Sequence, residues 1–195
     1  MSEPRPDKNQ ILAATGTLCV LRPAQSVAGL QRSAMPRDGA LDLFLLVDDT
    51  GAVTAFNGHV DLGTGIRTAL AQIVAEELDV ALERVTMVLG HTGLAPNQGA
   101  TIASDSIQVS AQPLRRAAAQ ARHRLVELAA ETLGLDADTL EVEDGIVRPR
   151  DGGNAGLTYA DLLKGRAERL LLSDDIPVKP PSAHRIVGRR VPRVD

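Results

Sequence analysis

The sequence predicts an α+β fold: a mixed β-sheet with two main helices packed on it, followed by an extended C-terminal arm. Three observations carry this. Strand-like and helix-like stretches follow one another in the order β-β-α-β-loop-α-β-β-α-tail, which suits one layer of sheet and one of helices. Two helical stretches carry long apolar stripes, whereas the strands are short and bounded by turn residues. No segment repeats, so an array of like units is excluded.

The elements run as follows. Residues 1–40 are rich in Pro, Arg, Ser and Gly, show no clean period and read as an irregular N-terminal segment. "LDLFLLVDDTGAVTAFNGHV" holds two β-rich runs around Asp48-Asp49-Thr50-Gly51, a hairpin signal. In "VDLGTGIRTALAQIVAEEL", residues 60–78, the apolar run breaks at Gly63-Thr64-Gly65 and a helix starts at once. Ile66, Leu70, Ile73, Val74 and Leu78 form its apolar face, and Glu76 and Glu77 read as its solvated face. "RVTMVLG" is a strand, with Val85, Met87 and Leu89 alternating.

The polar loop "HTGLAPNQGATIASDS" leads into a longer helix with Leu114, Ala118, Ala121, Leu125, Leu128 and Ala129 as its stripe. Pro113 belongs in its first turn, with Ser110 as N-cap, or else marks a kink. "LEVEDGIV" turns at Asp144-Gly145, and "TYADLLKG" is a short helix with a capping box from Thr158 to Asp161 and a stop at Gly165. The tail, 176–195, has four prolines, a basic bias and no period, and reads as an extended arm. The domain proper is thus residues 41–175.

Composition narrows the function. The chain has 195 residues, 44% of them hydrophobic, which suffices for one core. Two Phe, one Tyr and no Trp leave that core almost wholly aliphatic, so a partner surface is expected to complete part of the burial. A net charge of −4 argues against generic nucleic-acid binding. A single cysteine, Cys19, excludes an internal disulfide and a cysteine-held zinc or iron–sulfur site. No apolar run is long enough to span a membrane, and the N-terminus lacks a secretory pattern, so the cytoplasm is the expected location.

Two loops carry the chemical signal. Gly63-Thr64-Gly65 opens a helix, where free N–H groups and a partial positive charge attract anions. The same glycines also serve a tight strand-to-helix turn, and the full dinucleotide fingerprint is absent because position 68 is Thr. "GATIASDS", residues 99–106, places Thr101, Ser104 and Ser106 among small residues; it is either a solvated loop or a donor-rich wall. Two such loops, each feeding a helix, point to one large polyanionic ligand between them. His59, His91, His123 and His184 are too scattered for a metal-ligand motif. Asp61, just before the glycine turn, either acts as a base or caps the turn, and capping is the expected role.

The stretch "FNGHVDLGTGIRTALAQIVAEELDVALERVTMVLGHTGLAPNQGATIASDSIQ" resembles the molybdopterin-binding subunit of the xanthine dehydrogenase/aldehyde oxidase family, of the isoquinoline 1-oxidoreductase and nicotinate dehydrogenase type. The likeness runs over roughly residues 42–195, through "LEVEDGIV", "TYADLL" and "KPPSAHRIVGRRVPRVD". It implies a molybdenum hydroxylase whose metal is held by a pterin dithiolene rather than by side chains. Carried over residue by residue, it makes Gly63, Thr64, Gly65, Thr101, Ala103, Ser104 and Ser106 the cofactor-binding set, with no catalytic residue and no metal ligand in this chain. Two positions depart from the family pattern: Thr64 stands where Gln is usual, and His91 where an acidic residue is usual.

The family's glycine-rich segment with its catalytic glutamate has no counterpart here, so the chain reads as the N-terminal portion of a molybdenum subunit, whether naturally split or shortened. The resemblance further implies a molybdenum–molybdopterin cofactor in its cytosine dinucleotide form, shared with a larger molybdenum-binding subunit. Iron–sulfur clusters belong on another subunit, and a flavin or cytochrome subunit is a further electron acceptor. The implied substrate is an N-heteroaromatic such as a pyridine derivative. An aldehyde-oxidising member and a non-catalytic scaffold subunit are the alternatives.

Overall fold

The computed structural model describes residues 7–24, 41–152 and 156–192. Among these residues, twelve helices and strands follow in chain order: α1 (Lys8–Ala13), β1 (Thr17–Pro23), β2 (Leu41–Asp48), β3 (Val53–Asn57), α2 (Ile66–Leu78), β4 (Val85–Leu89), α3 (Ala111–Leu133), β5 (Leu140–Glu143), β6 (Ile146–Pro149), β7 (Leu157–Thr158), α4 (Tyr159–Leu163) and β8 (Ala167–Leu171). The expected α+β architecture is present. A five-stranded sheet has the order β4-β3-β2-β1-β8, and β5-β6-β7 form a small second sheet. The main sheet is mixed: β1–β2 and β2–β3 are antiparallel, whereas β1–β8 and β3–β4 are parallel.

The stripes of α2 and α3 meet each other and one face of this sheet. Leu70, Val74 and Leu78 from α2 and Leu114, Ala118, Ala121, Leu125, Leu128 and Ala129 from α3 are all fully buried, in one core with Leu18, Val20, Leu45 and Val47. Six of the nine buried residues of α3 are alanine, which lets the helix lie close to its neighbours. The opposite face is covered too: Ile11, Cys19, Leu21, Leu43, Phe56, Val88 and Leu94 make a second cluster. The three aromatic residues, Phe44, Phe56 and Tyr159, are all buried, and the Tyr159 hydroxyl donates to the Leu78 carbonyl at 2.8 Å. Burial pushes the Cys19 thiol up, against the opposing pull of Arg169 and Thr17, which marks it as a core residue rather than a reactive one.

Three expectations need correction. The N-terminal segment is not irregular where it is described, because β1 lies inside the main sheet between β2 and β8. Both its faces are covered, so Leu18, Cys19 and Val20 are all buried and the alternation that marks a one-sided strand is missing. The reading of 25–40 falls outside the described residues. Strand β8 also has no counterpart in the sequence pattern; it is a partly exposed edge strand without alternation. Finally, Glu76 and Glu77 are not solvated. Both are 2% exposed, because the C-terminal arm lies across α2 and donates its backbone N–H groups to them.

Pro113 does sit in the first turn of α3, but Ser110 is not a side-chain cap. Its backbone is already helical, and its hydroxyl donates to the Ser106 carbonyl at 2.9 Å. A wide π-type turn, Ser106–Ser110, leads into the helix instead. Such turns are frequent at functional sites.

Candidate functional site

The topology itself brings the two loops together. β3 and β4 are parallel neighbours, so both end at the same edge of the sheet. The loop after β3 leads to α2 and the loop after β4 leads to α3, and both helices therefore begin at that edge. A crevice beyond the carboxyl ends of parallel strands is a recurrent ligand position.

Close approach explains two glycines in these loops. A Cβ on Gly58 would lie 2.3 Å from the Pro96 carbonyl oxygen, and one on Gly90 would lie 2.3 Å from Val60 Cγ1. Gly63 is different: among the described residues, its chain neighbours aside, no atom lies within 4 Å of where its Cβ would be, but its φ is +81°. It serves the turn, in the left-handed conformation that glycine adopts without penalty. Asp61 shapes that turn as expected. Its Oδ1 accepts from the N–H groups of Gly63 and Thr64, both at 3.0 Å, and its Oδ2 accepts from Arg67 N–H at 2.9 Å.

A buried polar network joins the loops. Asn57, His59 and Ser110 are all buried. Asn57 Nδ2 donates to the Ser110 carbonyl at 3.1 Å, and Gln98 Nε2 donates to the same oxygen at 2.8 Å. Gly58 N–H donates to Gln98 Oε1 at 2.8 Å. His59 Nδ1 lies 2.8 Å from Ser106 Oγ, and Thr101 Oγ1 accepts from Val60 N–H at 3.0 Å. Sequence reading missed Asn57, His59, Gln98 and Ser110 as a set. Their only local signal is the cluster of polar residues ending an apolar strand in "FNGH".

Over this network lies an open cleft of about 450 Å³. Thr64, Gly65, Thr101, Ala103, Ser104 and Ser106 line it, so six of the seven sequence-chosen residues face one space, and Gly63 lies outside the lining. Val60, Leu62, Ile66, Ala69, Ile102 and Ile107 complete the wall with apolar side chains. Ala103 and Ser104 hold left-handed backbone, with φ of +55° and +59°. Two successive non-glycine residues in that region are strained, and strain of this kind gathers at ligand sites. His91 is not in the cleft; it is exposed, and its Nδ1 accepts from Gly93 N–H at 3.2 Å, closing its own turn. Another open depression, about 490 Å³, lies away from these loops between the Thr50–Ala52 turn and Thr158–Ala160. Its Arg84 pairs with Asp144 at 3.4 Å.

Among the described residues, no group of three or more His, Cys, Asp or Glu is placed to hold a metal ion, and no helix is long and apolar enough to cross a membrane. The cleft therefore offers hydroxyls, main-chain groups and apolar walls. That donor set fits an organic cofactor held by hydrogen bonds rather than a metal held by side chains.

A cleft lined by hydroxyls beyond the ends of parallel strands suits a domain that binds an organic cofactor. The chain belongs to the molybdopterin cofactor-binding domain family, whose model matches residues 7–180. It is 49% identical to a subunit of the nicotinate dehydrogenase of Pseudomonas putida over 197 residues, covering 100% of this chain and 16% of that one. It is 35% identical to the beta subunit of the isoquinoline 1-oxidoreductase of Brevundimonas diminuta, over 63% of this chain and 16% of the relative. The crystal structure of quinoline 2-oxidoreductase from Pseudomonas putida 86 superposes with a TM-score of 0.50 at 28% identity, over 60% of this chain and 15% of that one. The chain thus spans about a sixth of the length of these relatives, which are components of oxidoreductases.

Proposed function

We propose that this domain supplies one wall of the molybdopterin site in a molybdenum hydroxylase that oxidises an N-heteroaromatic substrate, a pyridine derivative in the first instance. The observation that carries the reading is the convergence of two hydroxyl-bearing loops on one cleft at the ends of β3 and β4. The names of the relatives, nicotinate dehydrogenase and isoquinoline 1-oxidoreductase, support the substrate class.

The bound molybdenum cofactor would supply the hydroxylation chemistry and accept the electrons. This chain's part is to bind and orient. Ser104 and the backbone of Thr101–Ala103 and Thr64–Gly65 face the pterin or its phosphates, in the cytosine dinucleotide form of the cofactor, and Gly63 shapes the turn that presents them. The apolar residues around the cleft exclude water and meet the larger molybdenum-binding chain that completes the cradle. Asp61 is committed to its turn through both carboxylate oxygens, so the general base comes from the larger chain. Iron–sulfur centres on a further subunit would carry the electrons onward to a flavin or cytochrome acceptor. The assembly works in the cytoplasm.

One observation favours the alternative, a scaffold domain that keeps the fold without the cofactor. Thr101 Oγ1 and Ser106 Oγ are both engaged within the chain, with Val60 N–H and with His59. Reconstitution separates the two. This chain, the large molybdenum-binding chain and an iron–sulfur chain are assayed singly and together with a pyridine substrate and a dye acceptor, with molybdenum and pterin measured in each preparation. Turnover is expected only from the assembly. An assembly that stays fully loaded when Ser104 is replaced by Val supports the scaffold instead.

A further inference from the structure

Ser106 lines the cleft while its hydroxyl is tied to a buried histidine. Building on the cofactor reading above, we propose that Ser106 presents a hydrogen-bond acceptor to the cleft, and that its partner is an N–H group of the pterin rather than a phosphate oxygen. His59 is a positioning residue that fixes this polarity.

The protons can be followed one by one. His59 Nε2 lies 3.4 Å from the Gln98 carbonyl oxygen, which can only accept, so we assign the ring proton to Nε2. In the neutral ring Nδ1 is then a bare lone pair. Ser106 Oγ, 2.8 Å away, is the donor to it. Ser110 Oγ, 3.5 Å from the same nitrogen, is the poorer donor to it, because its proton has a nearer acceptor in the Ser106 carbonyl at 2.9 Å. The Ser106 proton is therefore committed inward, and the lone pairs of its oxygen remain for the cleft. A phosphate oxygen would meet those lone pairs with repulsion. The amino and ring N–H groups of a pterin match them. His59 is 2% exposed, so solvent does not offer its ring another partner from the open side. The network thus converts a residue type usually counted as a phosphate donor into an acceptor.

Two measurements test this. On the ¹⁵N-labelled chain, a two-bond ¹H–¹⁵N correlation of the histidine rings reads the tautomer directly, without cofactor and without substitution. Protonated Nε2 with unprotonated Nδ1 at His59 is expected; a protonated Nδ1 at neutral pH overturns the proposal. In the assembled enzyme, Ser106→Ala and Ser106→Asp are then compared for molybdenum and pterin retained, with the melting temperature of each chain as a control for folding. Asp keeps an acceptor and adds negative charge. An N–H partner predicts that Ser106→Ala loses cofactor affinity roughly tenfold, the worth of one hydrogen bond, while Ser106→Asp retains more than Ser106→Ala. A phosphate partner predicts the reverse order, and equal retention by the two variants removes the contact altogether. If the unsubstituted assembly carries neither molybdenum nor pterin, the cofactor reading itself fails, while the tautomer result stands independently.

Discussion

The backbone N–H of Ile186 meets the carboxylate of Glu76 at 2.6 Å, across the buried side of α2. Arg185 and Val187 donate to the same carboxylate, at 2.9–3.0 Å and 2.9 Å. One residue on, Glu77 accepts from Lys179 N–H and from Arg115 Nε, the latter at 2.7 Å. Two carboxylates on a helix thus satisfy N–H groups on either side of the 3-10 turn of the arm, Pro181–Ala183. Its prolines keep a longer helix from forming beyond that turn, and the arm is held because those N–H groups find acceptors.

This latch predicts a pH dependence. Burial pushes the Glu76 carboxyl up, but the N–H groups of Ile186, Val187 and Arg185, together with Lys179, outweigh it and leave its pKa below the ordinary glutamate value. A depressed folded-state pKa stabilises fully above the unfolded value, and that stabilisation is lost as pH falls through the folded value. Glu76→Gln is expected to cost about 1.5–3 kcal/mol at pH 7 in a urea titration, the worth of hydrogen bonds to a charged group. The gap between variant and parent should shrink steadily as the titration is repeated at lower pH values below the ordinary glutamate range. A gap that is the same at both ends would mean that the charge contributes nothing.

The sequence is most legible where one face of an element is wet. The stripes of α2 and α3, the hairpin turns at Asp48–Gly51 and Asp144–Gly145, and the Thr158–Asp161 capping box all stand in the structure as the pattern predicts. β1 is illegible because burial on both faces erases alternation. Glu76 and Glu77 mislead because a buried carboxylate and a solvated one look alike until the arm that covers them is placed. At the site, small residues and hydroxyls mark the two loops, but the partners of those hydroxyls do not show. His59 and Ser106 are 47 residues apart in sequence, and only the pairing of β3 with β4 puts them in contact.

The left-handed pair Ala103–Ser104 gives a test that separates strain from chemistry. Glycine adopts this backbone freely, so Ala103→Gly and Ser104→Gly should each stabilise the isolated chain, by about 1 kcal/mol. Only Ser104→Gly removes a hydroxyl from the cleft. It should lower cofactor content in the assembled enzyme, whereas Ala103→Gly should leave the content closer to the parent. Thermal melts and metal analysis on the same preparations check both, and equal loss of cofactor in the two variants would assign the effect to backbone flexibility instead.

Asp61 lies near the cleft and is acidic, so it is the obvious rival as a base. Its geometry argues otherwise, since both oxygens accept backbone N–H groups of the turn. Asp61→Asn keeps one acceptor and sets an amide nitrogen against the third N–H. A stability loss of about 1 kcal/mol is expected, as for a weakened cap. Turnover of the assembled enzyme should stay within a few-fold of the parent. A fall in kcat of about 10³ with cofactor still bound would instead be the signature of a lost general base.

The exposed apolar residues mark where the large chain of the proposed assembly would dock. Val60, Leu62, Ile102, Ile107 and Val109 all lie on the two cleft-forming segments, and each is at least 40% exposed. Scattered single apolar residues on a surface need no explanation, but a cluster around a ligand cleft marks an interaction surface. A partner closing over the cleft would bury these side chains and shut water away from the cofactor in one step. Leu62 is the best probe because it is 69% exposed, so its replacement costs the isolated chain little. Leu62→Asp should shift the chain's own urea stability by no more than about 0.5 kcal/mol. Against the large molybdenum-binding chain it should weaken association roughly tenfold or more, because a charge would enter a desolvated apolar contact. Leu135→Asp, at a site 43% exposed just beyond the end of α3, is the matched control and should leave association unchanged. Sedimentation velocity of the mixed chains over a range of concentrations reads both. If Leu135→Asp weakens the assembly and Leu62→Asp does not, the large chain docks at the far end of α3 and the cleft stays open to solvent.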